Sequence, residues 1–436
     1  MRALRHPASA ALGGSGHSWR LFASQASLLH TTCAQKRRTP PGPRDFAAGL
    51  GLAAALAAYC ASADGPARCD GPAPADIKLV TYNVLSPKLA PPNHFPKCAP
   101  EDLDKANRLP KILARLREDV ADGRIIALQE VDLEWAGQLH VFFAEQDYAV
   151  VFAQYGNQHS GYMGVMLAWP RTAFEALDVD ISKLADTAPK GVWPKAERST
   201  LNRFGMFTYQ GMKEVLGCSP PDFNDRSDGE WRLAQSRANE AIFVRLRQRS
   251  APLSRSFVVG TYHMPCLFGT TEKVRAVNIT SQLLLGRLSS FAAGDPVALM
   301  GDFNMKPATS SYQLFSNGGS LSGVTQGLSA SDVTDGSLLP EVRGFDRLPG
   351  VPLPGGLDSA YNKFYGKEPL FTNFAVSSFN PAPFVETLDY IWFSRGQFSV
   401  VACQQLPTSK EEVNGPFPNK TEPSDHLPLH ATLRMG

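Results

Sequence analysis

Short apolar runs rich in β-branched residues recur along this chain, and several of them stop abruptly on an acid, an amide or a histidine. VALMGDFNMKP is the plainest, where Val297–Met300 runs straight into Gly301, Asp302, Phe303 and Asn304. A run of five or six such residues is a buried strand, and a polar side chain at its end emerges at the rim of a sheet rather than inside it. IKLVTYNVL predicts a strand over Ile77–Val84. Further strands are expected at Arg124–Leu128, Tyr148–Phe152, Gly164–Ala168, Ala241–Leu246, Phe257–Tyr262, Val297–Met300, Asp389–Phe393 and Leu427–Leu433. Helical spacing is confined to a few stretches. Leu103, Ala106, Leu109, Ile112, Leu113 and Leu116 share one face despite Pro110, and Trp135–Glu145 and Lys273–Ser290 read the same way. Strands outnumber helices and neighbours can pair directly. A mixed sheet or sandwich with outer helices is therefore expected, rather than a doubly wound parallel sheet.

The 436 residues divide unevenly around this body. Residues 1–44 hold seven Lys/Arg and no Asp/Glu, the composition of an organelle transit peptide, with mitochondria expected and plastids the alternative. Phe46–Ala63, within a segment 45–75, is uncharged and approaches the roughly 20 residues that cross a bilayer. It is mostly Ala and Gly, so a membrane attachment, an Ala-rich helix and a part of the sorting signal all stay open. GPARCDGPAPAD then reads as a linker, and residues 76–436 as the catalytic domain. Within it, 171–236 is the least regular stretch and reads as an insertion over the mouth of a site. Outside the leader, 36 basic residues face 41 acidic ones, which excludes a broad basic surface for long nucleic acid and suits a carboxylate-built metal site. Seven scattered cysteines without a C-x-x-C pair indicate neither a disulfide scaffold nor a thiolate zinc site.

The strand-end residues carry the chemistry. Asn83 closes the first strand and Glu130, in LQEVD, follows the second. Carboxylates beyond neighbouring strand ends can meet at one rim and offer oxygen to a hard cation. Taken singly, Asn83 also reads as a turn residue and Glu130 as a helix-start charge. Asp302 and Asn304, two apart, share a face and supply the carboxylate and amide that phosphodiester hydrolysis needs, one for water and one for a phosphate oxygen. Asp389 in ETLDYIWFS and the pair Asp425–His426 in PSDHLPLHATL open strands. An Asp on one imidazole nitrogen keeps the ring cationic, as stabilisation of a pentavalent phosphorane requires. His263 in TYHMPC ends another strand. His430, His94, His140 and His159 are read as structural.

In order, TYNVLS, LQEVD, TYHMPC, MGDFN, LDYIWFS and SDHLPL resemble the exonuclease/endonuclease/phosphatase superfamily from about Ile77 to Leu433. The resemblance implies an α/β fold of two stacked mixed β-sheets flanked by helices, a four-layer sandwich, with Mg²⁺ or Mn²⁺ as cofactor. It implies Glu130 as principal metal ligand, with Asn83 beside it and Asp425 completing the environment. Asp302 would orient the water, Asn304 and His263 would bind the scissile phosphate, and Asp389 would support His426. YNVLSP, LDSAY, EPLFTNF and LDYIWFS are nearest to the deadenylase branch, which holds carbon-catabolite-repressor type enzymes, nocturnin, Angel proteins and the 2′,5′-phosphodiesterase. That branch implies a 3′-to-5′ exonuclease on single-stranded RNA, with poly(A) first in view and a small or 2′,5′-linked nucleotide as the alternative. A monomer is expected, with Asn239 and Phe384 as substrate contacts, Phe384 reading equally as ordinary core packing. MPCLFG after His263 and GYMGVMLAWP depart from the branch's phrases. A membrane-tethered binding protein that has lost activity is the reading from another class.

Overall fold

The computed structural model describes residues 75–156, 161–194, 228–307, 309–319, 348, 353, 355–378 and 380–436. The leader 1–44, the apolar segment 46–63 and residues 195–227 of the expected insertion lie outside them. No helix among the described residues is long and apolar enough to cross a membrane.

The strands assemble into two mixed six-stranded sheets. The first is ordered β13 (Phe398–Cys403), β14 (Leu429–Met435), β1 (Ile77–Asn83), β2 (Ile125–Gln129), β4 (Met163–Pro170), β3 (Tyr148–Tyr155). The second runs β5 (Phe174–Lys183), β6 (Glu240–Gln248), β7 (Phe257–His263), β8 (Val297–Asp302), β12 (Asp389–Ser394), β9 (Leu357–Ser359). A separate hairpin joins β10 (Asn373–Ser377) to β11 (Asn380–Glu386). Two pairings are parallel, β1 with β2 and β7 with β8, and the strands flanking them run antiparallel. This direction rule gathers the polar strand ends. The C-terminal ends of β1, β2, β7 and β8 share one rim with the N-terminal ends of β12 and β14, so residues following four strands meet residues opening two others.

Period-two alternation sorts the side chains between layers. On β1, Ile77 and Leu79 enter the core between the sheets, with Ile125, Val165, Val244, Val259, Met300 and Ile391. Val80 and Tyr82 face the other way, under the helices Lys105–Ala121 and Leu133–Glu145, where Ile112, Leu116, Trp135 and Leu139 cover them. The Asp104 side chain caps the first of these helices on Ala106 N at 2.9 Å, and the helix runs on through Pro110, which lies inside it and cannot donate to Ala106 O. Helix Thr271–Ala292, with Gly229–Gln235 and Ser310–Ser316, covers the outer face of the second sheet. Each fully buried Leu or Ile in these layers contributes on the order of 1.5–3 kcal/mol of transfer free energy. The result is the four-layer sandwich.

One expectation changes. Residues 174–183 are not irregular but form β5, the edge strand of the second sheet, paired along its length with β6. FEALDVDISK combines outward acids with exposed Leu177, Val179 and Ile181, so it lacks the clean alternation by which a half-buried strand is recognised. At the other end of the expected insertion, Gly229–Gln235 forms a helix, and 195–227 lie outside the described residues.

Candidate active site

Near the site end of the sandwich, a polar layer replaces the apolar core. Thr81 Oγ1 donates to Gln129 Oε1 at 3.2 Å, and Gln129 Nε2 donates across to Thr261 Oγ1 of the second sheet at 3.0 Å. One step further out lie the strand-end residues. Asn83 Nδ2 donates to Glu130 Oε1 at 3.1 Å and, across the sheets, to Asp302 Oδ2 at 3.0 Å. Glu130 Oε2 accepts from Ser86 N at 3.0 Å, and Asn83 Oδ1 from Leu85 N at 2.9 Å. Parallel and antiparallel register set Asp302 opposite both His263 and Asp389.

Local backbone geometry aims these groups. Glu130 (φ 60°) and Asn304 (φ 45°) are left-handed non-glycine residues, a conformation costing on the order of 1–2 kcal/mol each. It breaks the pleat just where the strands end. Gly301 is required by contact, since a Cβ there would stand 2.0 Å from the Tyr262 carbonyl oxygen of the adjacent strand.

Two dyads flank Asp302. His426 Nδ1 lies 2.7 Å from Asp389 Oδ2 and its Nε2 lies 3.7 Å from Asp302 Oδ2. His263 Nε2 lies 3.5 Å from Asp302 Oδ2 and 4.0 Å from Glu130 Oε1. Asn304 Nδ2 is 3.1 Å from His263 Nε2 and donates to Met264 O at 2.9 Å. Asn239 Nδ2 donates to the His263 carbonyl at 2.8 Å. The motifs do not mark two contributors. Tyr155 Oη bonds His263 Nδ1, and Thr372 Oγ1 donates to Asp389 Oδ2 at 2.6 Å. Tyr155 lies inside an apolar run, and Thr372, though within EPLFTNF, is a hydroxyl that no motif marks, so the fold reveals both.

All of this opens into a cleft of about 980 Å³ lined by Glu130, Asn239, His263, Asp302, Asn304, Phe384, Asp425 and His426, with Asn83 and Asp389 buried beneath its floor. Phe384 stands at its edge, 6.0 Å from the Phe268 ring, with Lys306 Nζ 5.6 Å from its own ring centre. The sequence-derived residues are thus brought to one place. His430 is not among them, being 2.9 Å from Asp119.

A family model of endonucleases, exonucleases and phosphatases matches residues 80–426, most of the chain. The chain belongs to the endonuclease/exonuclease/phosphatase family.

The family joins nucleases and phosphatases, hydrolases of phosphoester bonds, and this chain carries its fold. Its curated relatives place it nearest to the deadenylase branch. It is 26% identical over 386 residues to the CCR4-Not complex 3′-5′-exoribonuclease subunit Ccr4 of Aspergillus niger, covering 82% of this chain and 52% of that one. It is 25% identical over 372 residues to Carbon catabolite repressor protein 4 homolog 4 of Arabidopsis thaliana, covering 82% and 78%. The chain thus spans about half the length of the Aspergillus relative. Among solved structures, ANGEL2, a 2′,3′-cyclic phosphatase, in complex with adenosine-2′,3′-vanadate, matches with a TM-score of 0.56 at 20% identity, over 83% of this chain and 96% of that one. The human Nocturnin catalytic domain matches with a TM-score of 0.50 at 18% identity, over 83% and 95%. At these identities the structures establish a shared fold.

The ionisable side chains of the cleft fall into two groups that differ in burial. Asp302, Asp389 and His426 offer donor atoms within 4.8 Å of one another. All three are buried. Burial alone would strip the proton from His426, but Asp389, Asp302 and Asp425 together hold it well above the ordinary histidine range. With Nδ1 bonded to Asp389 and the carboxylates favouring the charged ring, His426 is arranged to keep a proton. Burial pushes the Asp302 carboxyl up to about 6, Asp389 adds to this, and the two histidines oppose it. Glu130 and Asp425 differ in being partly exposed to the cleft. Burial raises the Asp425 carboxyl, His426 opposes that, and the Glu130 charge adds to it. Two mutually repelling carboxylates facing solvent, with an amide beside one of them, form an oxygen donor set that fits a hard divalent cation.

Proposed function

We propose that this protein is a divalent-metal-dependent 3′-to-5′ exonuclease acting on single-stranded RNA ends, poly(A) first among them. The observation that carries the mechanism is the buried Asp302 held between the Asp389–His426 and Tyr155–His263 dyads at the floor of an open cleft. The relatives named as 3′-5′-exoribonucleases support the substrate class.

Asp302 orients the attacking water and accepts its proton. Asn304 and His263, joined at 3.1 Å, receive the non-bridging oxygens of the scissile phosphate. His426, kept cationic by Asp389, stabilises the charge that accumulates on the phosphorane. Glu130 and Asp425, with Asn83, would hold Mg²⁺ or Mn²⁺, which supplies Lewis-acid stabilisation of the same charge. Phe384 offers a ring on which a terminal base can stack, and such stacking is worth about 1–3 kcal/mol per base. Asn239 acts on substrate through the His263 backbone that it holds.

A small-nucleotide or 2′,5′-linked substrate is the second reading, favoured by the acidic balance of the body. The proposal extends to a monomer delivered to mitochondria by residues 1–44. The test is hydrolysis of 5′-labelled oligo(A), oligo(U), single-stranded DNA, 2′,5′-oligoadenylate and NADP⁺, each with Mg²⁺ and with chelator. Stepwise shortening of oligo(A), abolished by chelator, is expected. Intact oligo(A) alongside cleavage of a small substrate refutes the RNA reading and establishes the second.

A further inference from the structure

Arg108 is among the largest fully buried side chains, and among the described residues it forms no ion pair with an acid. Its hydrogen bonds all go to neutral carbonyls. Nη2 donates to Val84 O and to Leu85 O, both at 2.6 Å, and Nε donates to Pro423 O at 2.5 Å. Its guanidinium lies 5.2 Å from the centre of the Trp135 ring. Burying a cation without an acid partner is costly, and an apolar side chain of similar volume would fill the space at lower cost. What the guanidinium does that no apolar group can is bind two chain segments at once. Val84 and Leu85 directly follow Asn83 and precede Ser86, whose N–H holds Glu130. Pro423 directly precedes Ser424, Asp425 and His426.

A second fastener joins the same two segments. Ser424 Oγ donates to Asn83 O at 2.6 Å and accepts from His426 N at 3.2 Å. The helix continues the pattern at positions i+3 and i+7. Lys111 Nζ reaches Asn419 O at 3.4 Å, and Arg115 Nη2 donates to Thr421 O at 3.0 Å and pairs with Glu422 at 2.6 Å. One face of the helix Lys105–Ala121 thus grips the backbone of 419–423, and its deepest contact lies behind the carboxylates facing the cleft.

We propose that Arg108 is a positioning residue of the active site, tying the loop after Asn83 to the loop before Asp425 and so setting the spacing of Glu130 and Asp425. The proposal rests on the reading that these two carboxylates hold the cation. Residues that orient metal ligands from behind change metal affinity by about 10–100-fold when removed.

The test is Mn²⁺ binding to the full chain without substrate, followed by the electron paramagnetic resonance of free Mn²⁺, for wild type, Arg108→Met, Arg108→Lys and Ser424→Ala. Melting temperature and kcat at saturating Mn²⁺ are measured alongside. The expected result is a Mn²⁺ dissociation constant raised by about tenfold or more in Arg108→Met, with a smaller rise in the other two, and a kcat recovered to within about threefold at saturating metal. Lys preserves the charge but cannot span both segments, so weakening in Arg108→Lys identifies the tie and not the charge. Should Arg108→Met fail to fold, Ser424→Ala, which alters no charge, decides the matter. Unchanged Mn²⁺ affinity in variants that merely melt earlier overturns the proposal, as does tighter binding in Arg108→Met. Absence of Mn²⁺ binding by the wild type overturns the cation reading itself, a result separate from either.

Discussion

Asp389→Asn tests the proton-handling half of the site. Asp389 Oδ2 accepts from His426 Nδ1 at 2.7 Å and from Thr372 Oγ1 at 2.6 Å. Thr372 Oγ1 itself accepts from Leu388 N at 2.9 Å and Asp389 N at 3.1 Å, so its proton is committed to Asp389. The Oδ2 position must therefore remain an acceptor, and the new amide is forced to put its oxygen there. Its NH₂ then takes the place of Oδ1, which is buried without a hydrogen-bond partner among the described residues. An unsatisfied buried donor costs about 1–3 kcal/mol of stability. The imidazole keeps its orientation but exchanges a charge-assisted bond for a neutral one. That difference is about 1–2 kcal/mol, or roughly 5–30-fold in kcat. Loss of the carboxylate also lets the His426 proton leave more readily, so the alkaline limb of the rate profile moves to lower pH. Stopped-flow hydrolysis of labelled oligo(A) from pH 5 to 10, at saturating Mg²⁺, reads both quantities. A wild-type kcat with an unmoved alkaline limb refutes the reasoning.

Other expectations follow from the same geometry. Tyr155→Phe removes the bond to His263 Nδ1 and lowers kcat by about 3–10-fold with little change in melting temperature, since the ring stays packed. Gly301→Ala forces a methyl against the Tyr262 carbonyl and destabilises the domain by more than about 3 kcal/mol, seen in denaturant unfolding; a midpoint equal to wild type would mean the strands lie further apart than described. Phe384→Ala raises KM for oligo(A) by about 5–160-fold while leaving hydrolysis of bis(p-nitrophenyl) phosphate unchanged. Asp302 accepts a proton only as the carboxylate and is raised to about 6, so the rate rises with pH through that value and is lost below it; a flat acid limb down to pH 4 would assign the base elsewhere.

Most of the site was legible because each residue follows or opens an apolar run. A strand end is both a sequence boundary and a rim position, so Asn83, Glu130, His263, Asp302, Asp389 and His426 announce themselves locally. Tyr155 did not, because it lies inside the run that becomes β3 and reads as core. Thr372 and Asn373 escaped for a different reason. Thr372 precedes and Asn373 opens β10, a short hairpin strand outside both main sheets, and Asn373 meets Asp425 at 3.3 Å only through tertiary folding. The short or edge strands β5, β9 and β13 were equally silent, since half-exposed strands of three to ten residues carry a mixed pattern. The central strands were found because burial on both faces leaves them no polar positions to blur the signal.

The candidate site residues lie at one rim of the sandwich, and none of them lies at the far rim. The turns 170–173, 249–256, 294–296 and 395–397 all lie there, and there too the chain enters β1 through Asp76, gripped by Arg434 at 2.7 and 2.9 Å. Insertions, tags or a fused partner at that end would be carried behind the enzyme, with the whole thickness of the sheets between them and the mouth. The architecture therefore divides the described domain into a working face and a handle.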